Sequence, residues 1–396
     1  MIPVRYRILC IYSAMLAMTQ FQWMRFAPIT ELVSASYGIG YGEVGSLSLA
    51  VTALALPLAL PSGGLIDRIS VRSCLRITAI AMLLAAVIRV LQPRYPYLLA
   101  GQLLFGFVQP LTMSLLVKLM LAWFPAGERG RVSALSSMVI FLGIGAAFVL
   151  VPLTELGNVD RSLRMDVALF ALIAVLTFAY VPADRPVDAA ADRQDGRSWF
   201  ADGLELFRTP PFIAVLLMIF LTNGYFSAIT TWLEPILSRR GVDAQTSGLI
   251  VVLMLAGGIT GSALILALER AGATAGRILS AAALGAGFGT MCLFSTASFP
   301  LLALAGLVIG AALLSPLPLL LQLISGVAGH ARSGTATAIF WLVGNIGATA
   351  MIAALGGIAD QGDWRWAALP LCLVLLAQIV ISLRGFRAAR LGEARA

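Results

Sequence analysis

Three aromatic side chains, Trp23, Tyr225 and Trp341, sit inside long apolar runs, at the middle of the run or a little beyond it. A quaternary ammonium cannot donate hydrogen bonds, so proteins hold it against aromatic faces, each contributing ~0.5–2 kcal/mol. Tryptophan and tyrosine also mark membrane interfaces and helix packing, and both readings are open for these three. Two amides, Gln109 and Asn345, lie in similar runs. An amide deep in hydrocarbon is costly unless it faces a partner or a cavity, which makes Gln109 a candidate for lining a binding site and Asn345 a second one. Arg25 lies in the outer half of the first run, where reaching the headgroups is difficult, so it is expected to face a cavity or a carboxylate such as Glu31 or Glu234. Those two glutamates, near the outer ends of the first and seventh runs, either attract cations at the outer mouth or sit among headgroups. They are the two acids weighed as titratable groups of a transport path. Lys118, the one lysine, is read as structural, its stem reaching toward the inner surface.

Other chemistry has little material. Cys10, Cys74, Cys292 and Cys372 are far apart and His330 is the lone histidine, so neither a disulfide framework nor a metal site is expected. No constellation of catalytic carboxylates, histidines or nucleophiles is visible. Neither an enzyme nor a bound cofactor is expected.

The elements that carry these residues follow from composition. Of 396 residues 60% are apolar and 12% charged, with a mean hydropathy of +0.93. A soluble domain carries about 25% charged residues, so this chain lacks the polar material to coat a water-facing surface. A hydrocarbon core about 30 Å thick needs about 20 apolar residues per helix. Runs of that kind fall at 8–34, 43–66, 74–92, 97–121, 132–153 and 165–182, then at 211–236, 245–268, 277–295, 299–324, 334–356 and 365–384. The expected fold is an all-α membrane protein of twelve transmembrane helices in two six-helix bundles, 1–182 and 210–396. Residues 183–209 form the charged linker between them, ending in a stretch, SWFADGLELF, that suits an amphipathic surface helix. The first run has no small-residue cleavage site after a short apolar core, so it is read as a retained span.

With the N-terminus inside, eighteen arginines fall in cytoplasmic segments and seven, including Arg89 and Arg94, on the other side. That bias puts both termini in the cytoplasm of a multi-pass protein of the inner cell membrane. It also accounts for the net charge of +8 without a nucleic-acid partner, since the arginines sit singly or in pairs rather than in a stripe. The partners expected are the bilayer and a small-molecule solute, for a monomer.

An internal repeat relates the halves at an offset of 202 residues: Asp67-Arg68 meets Glu269-Arg270, Gly127 meets Gly329, Gly145 meets Gly347, and Trp23 meets Tyr225. Parallel six-span repeats with a solute site between halves near the midplane are the architecture of major facilitator transporters. The turn from Gly63 through Asp67 and Arg68 to Arg72 resembles that superfamily's loop signature, G-x-L-x-D-R-x-G-R-K, with Ser70 and Val71 departing from it. The resemblance implies that Gly63 allows close helix packing. It also implies that Asp67, Arg68 and Arg72, with Glu269 and Arg270 as the second copy, serve an inner gate. Proton-coupled drug exporters of the superfamily carry an arginine four residues before a glycine in span four, where Gln102 precedes Gly106. Their span-five antiporter motif, G-P-x-x-G-G, is likewise absent around Phe141–Ala147.

Phe21-Gln22-Trp23, Gly101-Gln102-Leu103, Gln109 and Ala122-Trp123-Phe124 resemble the feline leukaemia virus subgroup C receptor family of choline, ethanolamine and haem transporters, over about residues 20–155. The resemblance implies a cavity lined by Trp23, Gln109 and Tyr225, with Trp341 standing where the family has a glutamine. The function expected is therefore secondary transport of a small organic cation or amine, or of haem, by alternating access. The alternatives are a proton-coupled exporter of drugs or siderophores and a non-transporting membrane sensor.

Overall fold

The computed structural model describes residues 3–155, 158–182, 206–328, 333–360 and 364–386. The chain falls into two compact units, Met1–Asp192 and Arg193–Ala396. The first holds α1 (Val4–Trp23), a 3-10 turn (Ala27–Ile29), α2 (Thr30–Tyr37), α3 (Tyr41–Arg68), α4 (Val71–Leu91), α5 (Tyr95–Trp123), α6 (Ala126–Glu155) and α7 (Val159–Tyr180). The second holds α8 (Pro210–Ser238), α9 (Ala244–Arg270), α10 (Ala275–Ser295), α11 (Phe299–Leu313), α12 (Leu317–Ala328), α13 (Ser333–Asp360), a 3-10 turn (Trp364–Ala367) and α14 (Ala368–Gly385). Helix is the only regular structure among the described residues, and a helix satisfies its own backbone where no water can. Eleven of these segments, α11 and α12 counted together, are long and apolar enough to cross a membrane. Of the two helices left, α2 has 8 residues, and α1 has 20 but opens on Arg5 and Arg7 and ends with Thr19, Gln20 and Gln22 before Trp23.

Two expected spans are interrupted. The first, drawn as continuous over 8–34, leaves α-helical geometry after Trp23, and the tenth, drawn over 299–324, breaks between Leu313 and Leu317. Proline is the cause in both. Pro28 lacks the N–H that would bond the Met24 carbonyl, and Pro316 lacks the one for Ala312. The chain substitutes shorter loops, Ala27 N to Met24 O at 3.2 Å and Leu317 N to Leu314 O at 3.3 Å. The linker reading and the amphipathic segment fall largely on residues 183–205, outside the described residues.

Each unit repeats one packing scheme: first span on fifth (α1 on α6; α8 on α13), second on fourth (α3 on α5; α9 on α11), third on fourth and on sixth (α4 on α5 and α7; α10 on α11 and α14). Hydrocarbon tails give no hydrophobic drive for helices to associate, so close van der Waals packing over small residues does it. A Cβ on Gly143 of α6 would collide with the Ala17 carbonyl of α1, and one on Gly347 of α13 with the Phe220 carbonyl of α8. The capping repeats too. Ser70 accepts from Ser73 N at 3.0 Å to start α4, and Thr274 accepts from Arg277 N at 3.4 Å to start α10. This gives Ser70, a departure from the loop signature, a physical role as N-cap.

The sidedness of α7 shows how the site is carried. Met165, Leu169, Leu172 and Val175 are exposed, a stripe fit for lipid, while Ser162, Asp166, Phe170, Ile173 and Thr177 turn inward.

Candidate functional site

In the first unit three helices, α4, α5 and α7, converge on the end of α1 and build a charged network with it. Arg89, in the last turn of α4, donates from Nη1 to Gln22 Oε1 at 2.6 Å and from Nη2 to Asp166 Oδ2 at 3.5 Å. Arg25, just past the end of α1, donates from Nε to the same Asp166 oxygen at 3.0 Å and from Nη2 to Ser162 Oγ. Gln22 Nε2 reaches Asp166 Oδ2 at 3.2 Å, and Gln102 Nε2 of α5 donates to the Gln22 backbone carbonyl at 3.1 Å. Arg25 and Arg89 are each 1% exposed and Asp166 6%. Ionic groups buried this deeply persist only when paired and hydrogen-bonded, and the bond set meets that condition. Arg89 also lies 4.9 Å from the centre of the Phe105 ring. Its stem passes over Gly101, where a Cβ would come within 2.9 Å of Arg89 Cδ. A side chain at 101 would press on both the arginine stem and the Ala85 carbonyl of α4.

This arrangement adds to the expectations at three residues. Arg25, expected to face a cavity or a carboxylate such as Glu31 or Glu234, bonds the carboxylate of Asp166. Arg89, counted among outward arginines, is turned into the bundle. Gln102, which stands where the exporters have an arginine and belongs to the Gly101-Gln102-Leu103 resemblance, is fully buried and part of the network. One signal existed: Ser162 and Asp166 stand four residues apart on the face of α7 opposite its apolar stripe. A run beginning at 165, with Asp160, Arg161 and Arg164 just before it, leaves Asp166 among headgroup charges.

Trp23 ends α1 between Gln22 and Arg25. It is 8% exposed, and its Nε1–H has no hydrogen-bond partner among the described residues. Gln109 is half-buried on α5, two turns beyond Gln102. In the second unit Tyr225 of α8 is fully buried and shares a hydrogen bond with Thr290 of α10. Trp341 of α13 is 41% exposed and packs edge-on to Phe340 at 5.5 Å, and Asn345 of the same helix is half-buried. The two glutamates part company: Glu31 is exposed in the first turn of α2, whereas Glu234 is 4% exposed on α8.

Gly63, Asp67 and Arg68 lie in the last turns of α3, where side chains are outside the described part of the structure. Arg72 is half-buried in the first turn of α4, Glu269 is half-buried and Arg270 exposed at the end of α9. Lys118 Nζ donates to the Ile69 carbonyl at 2.5 Å, so the single lysine caps the end of α3, a placement favoured by the helix dipole.

The model of the family described as "Major Facilitator Superfamily" matches residues 12–274, more than half of the chain. The chain belongs to the Major Facilitator Superfamily. Solved structures agree on the fold. A bacterial homolog of the human lysosomal transporter Spinster, inward-facing and unoccupied, has a TM-score of 0.75 at 14% identity, covering 98% of this chain and 96% of that one. The nucleoside transporter NupG has a TM-score of 0.72 at 13% identity, covering 97% and 98%. Among curated superfamily relatives, solute carrier family 49 member A3 of Xenopus tropicalis is 24% identical over 271 residues, 64% of this chain and 56% of the relative. The human choline/ethanolamine transporter FLVCR2 is 23% identical over 275 residues, 63% and 52%. The chain thus spans about half the length of the curated relatives it matches. Alternating access is typical of this fold, and the apolar helices have the length and composition to cross a membrane.

Proposed function

We propose that this transporter moves a small organic cation or amine of the choline or ethanolamine class, and that Trp23 and Gln109 contact it. The observation that carries the reading is Trp23: an indole more than nine-tenths buried, with an open N–H, held where the first span is interrupted. An aromatic face suits an ammonium, and relatives at 23–24% identity are named choline/ethanolamine transporters. Tyr225, Trp341 and Asn345 are the positions of the second unit to test next, and Glu31 and Glu234 the acids that would draw cations. The turn carrying Gly63, Asp67, Arg68 and Arg72, with Glu269 and Arg270, serves as inner gate on this reading. Both termini then lie in the cytoplasm and residues 183–209 link the bundles.

The test is uptake of radiolabelled choline and ethanolamine into proteoliposomes. Trp23→Ala should reduce uptake about 10-fold, the scale of one lost cation–π contact, and Gln109→Ala should reduce it through the lost polar contact, with protein incorporation unchanged in both. Wild-type rates in both variants, or a wild-type protein indifferent to both amines in uptake and thermal-shift assays, would remove this reading.

A further inference from the structure

Beyond Trp23 the backbone of the first span is poorly self-supported. Met24 N reaches Gln20 O at 3.3 Å, Arg25 N reaches Gln22 O at 3.4 Å, and Ile29 N reaches Phe26 O at 3.2 Å. The last two are i to i−3 bonds, whose geometry is inferior to the α-helical one. A segment like this holds one conformation only if something outside it does the holding. The network supplies that from both sides of one residue. Gln22, immediately before Trp23, is tied by its side chain to Arg89 and Asp166 and by its carbonyl to Gln102. Arg25, two residues after, is tied to Asp166 and Ser162. The anchors on α4, α5 and α7 are regular helix, and Gly101 is kept clear for the arginine stem.

We propose that Asp166, acting through Gln22, Arg25 and Arg89, is a positioning residue for Trp23: the ionic network clamps the interrupted first span and sets the orientation of the indole. The clamp gives a buried charge cluster, distant from any reacting group, a task in solute recognition. Its value for transport rests on the reading of Trp23 as a solute-contact residue, whereas the clamp itself does not.

The experiment has two arms. In the first, the full chain carries 5-fluorotryptophan at its seven tryptophans, and Trp23→Phe and Trp232→Phe assign two of the fluorine resonances. Asp166→Asn and Gly101→Ala should each shift or broaden the Trp23 resonance and leave that of Trp232 in place. Gly101→Ala removes no charge and no hydrogen-bonding group, so it keeps the test alive if Asp166→Asn fails to fold. A Trp23 resonance unmoved in Gly101→Ala overturns the proposal, as does an equal disturbance of both resonances, which marks general loosening. In the second arm, choline affinity is measured for Trp23→Ala, Asp166→Asn and the double variant. The clamp requires that Asp166→Asn weaken binding in the wild-type background and add less than about 2-fold once Trp23 is gone, because coupled residues are non-additive. Additive losses overturn it. If Trp23→Ala binds choline like wild type, the solute reading fails, and the fluorine arm still decides the clamp.

Discussion

Asp166 carries an unusual load for a single carboxylate: one of its oxygens accepts from Gln22, Arg25 and Arg89. Arginine is suited to such sharing, since its planar fork keeps its charge and spreads donors over two partners. Taking the carboxylate away strands buried guanidinium groups, and breaking one partner out of a buried ionic group costs about 3–5 kcal/mol. Asp166→Ala should therefore lower the thermal unfolding midpoint in detergent by several degrees, and more than Glu128→Ala does. Glu128 pairs with Arg5 at 3.1 Å, but both side chains are about a third exposed, where an ion pair contributes little. Equal midpoints for the two variants would contradict the burial argument.

At the scale of helices, the contact of fifth span on first recurs in each unit through a glycine whose missing side chain admits a backbone carbonyl. Gly347 sits so close to Phe220 that any Cβ must push the helices apart. Gly347→Val should destabilise the second unit by roughly 1–3 kcal/mol, the usual range for overpacking, and lower the yield of folded protein. Gly357→Val on the same helix, where a Cβ would meet nothing within 4 Å, should have little effect. A Gly347→Val protein as stable as Gly357→Val would show that the α8–α13 contact is looser than described. The gate reading is tested on the turn between α3 and α4: Asp67→Asn should slow choline turnover several-fold and leave choline affinity unchanged. Lost affinity with normal turnover would place Asp67 elsewhere in the mechanism.

For the whole molecule, the question is what drives transport. Asp166 is a buried acid of the first unit whose carboxylate is bonded to both Arg25 and Arg89. For a cationic solute the membrane potential contributes about 2.3 kcal/mol per charge per 100 mV. In proteoliposomes a potassium–valinomycin potential, negative inside, should accelerate choline entry, and a pH gradient at zero potential should change it little. Uphill accumulation on a pH gradient alone would make Asp166, Glu31 and Glu234 the groups to examine first.

The extent of the apolar helices was legible in the residues because a bilayer demands an unbroken apolar run of fixed length and a helix that satisfies its own backbone. Both demands act on neighbours in the chain. The repeat was legible in recurring short motifs, although the glycine that packs α6 on α1 is Gly143, two residues from the Gly145 that the offset of 202 pairs with Gly347. Proline was ambiguous: Pro110, Pro152 and Pro235 lie inside continuous helices, whereas Pro28 and Pro316 stand at breaks. Neighbouring helices decide whether a lost hydrogen bond is tolerated. The charged network was out of reach for a stronger form of that reason. Arg25 meets Asp166 across 141 residues and Arg89 meets it across 77. An ion pair is a statement about two points in space, and no periodicity along the chain encodes it. Trp23 could be picked out as an aromatic in an apolar run, but only the packing of α4, α5 and α7 around the end of α1 surrounds it with residues tied on either side.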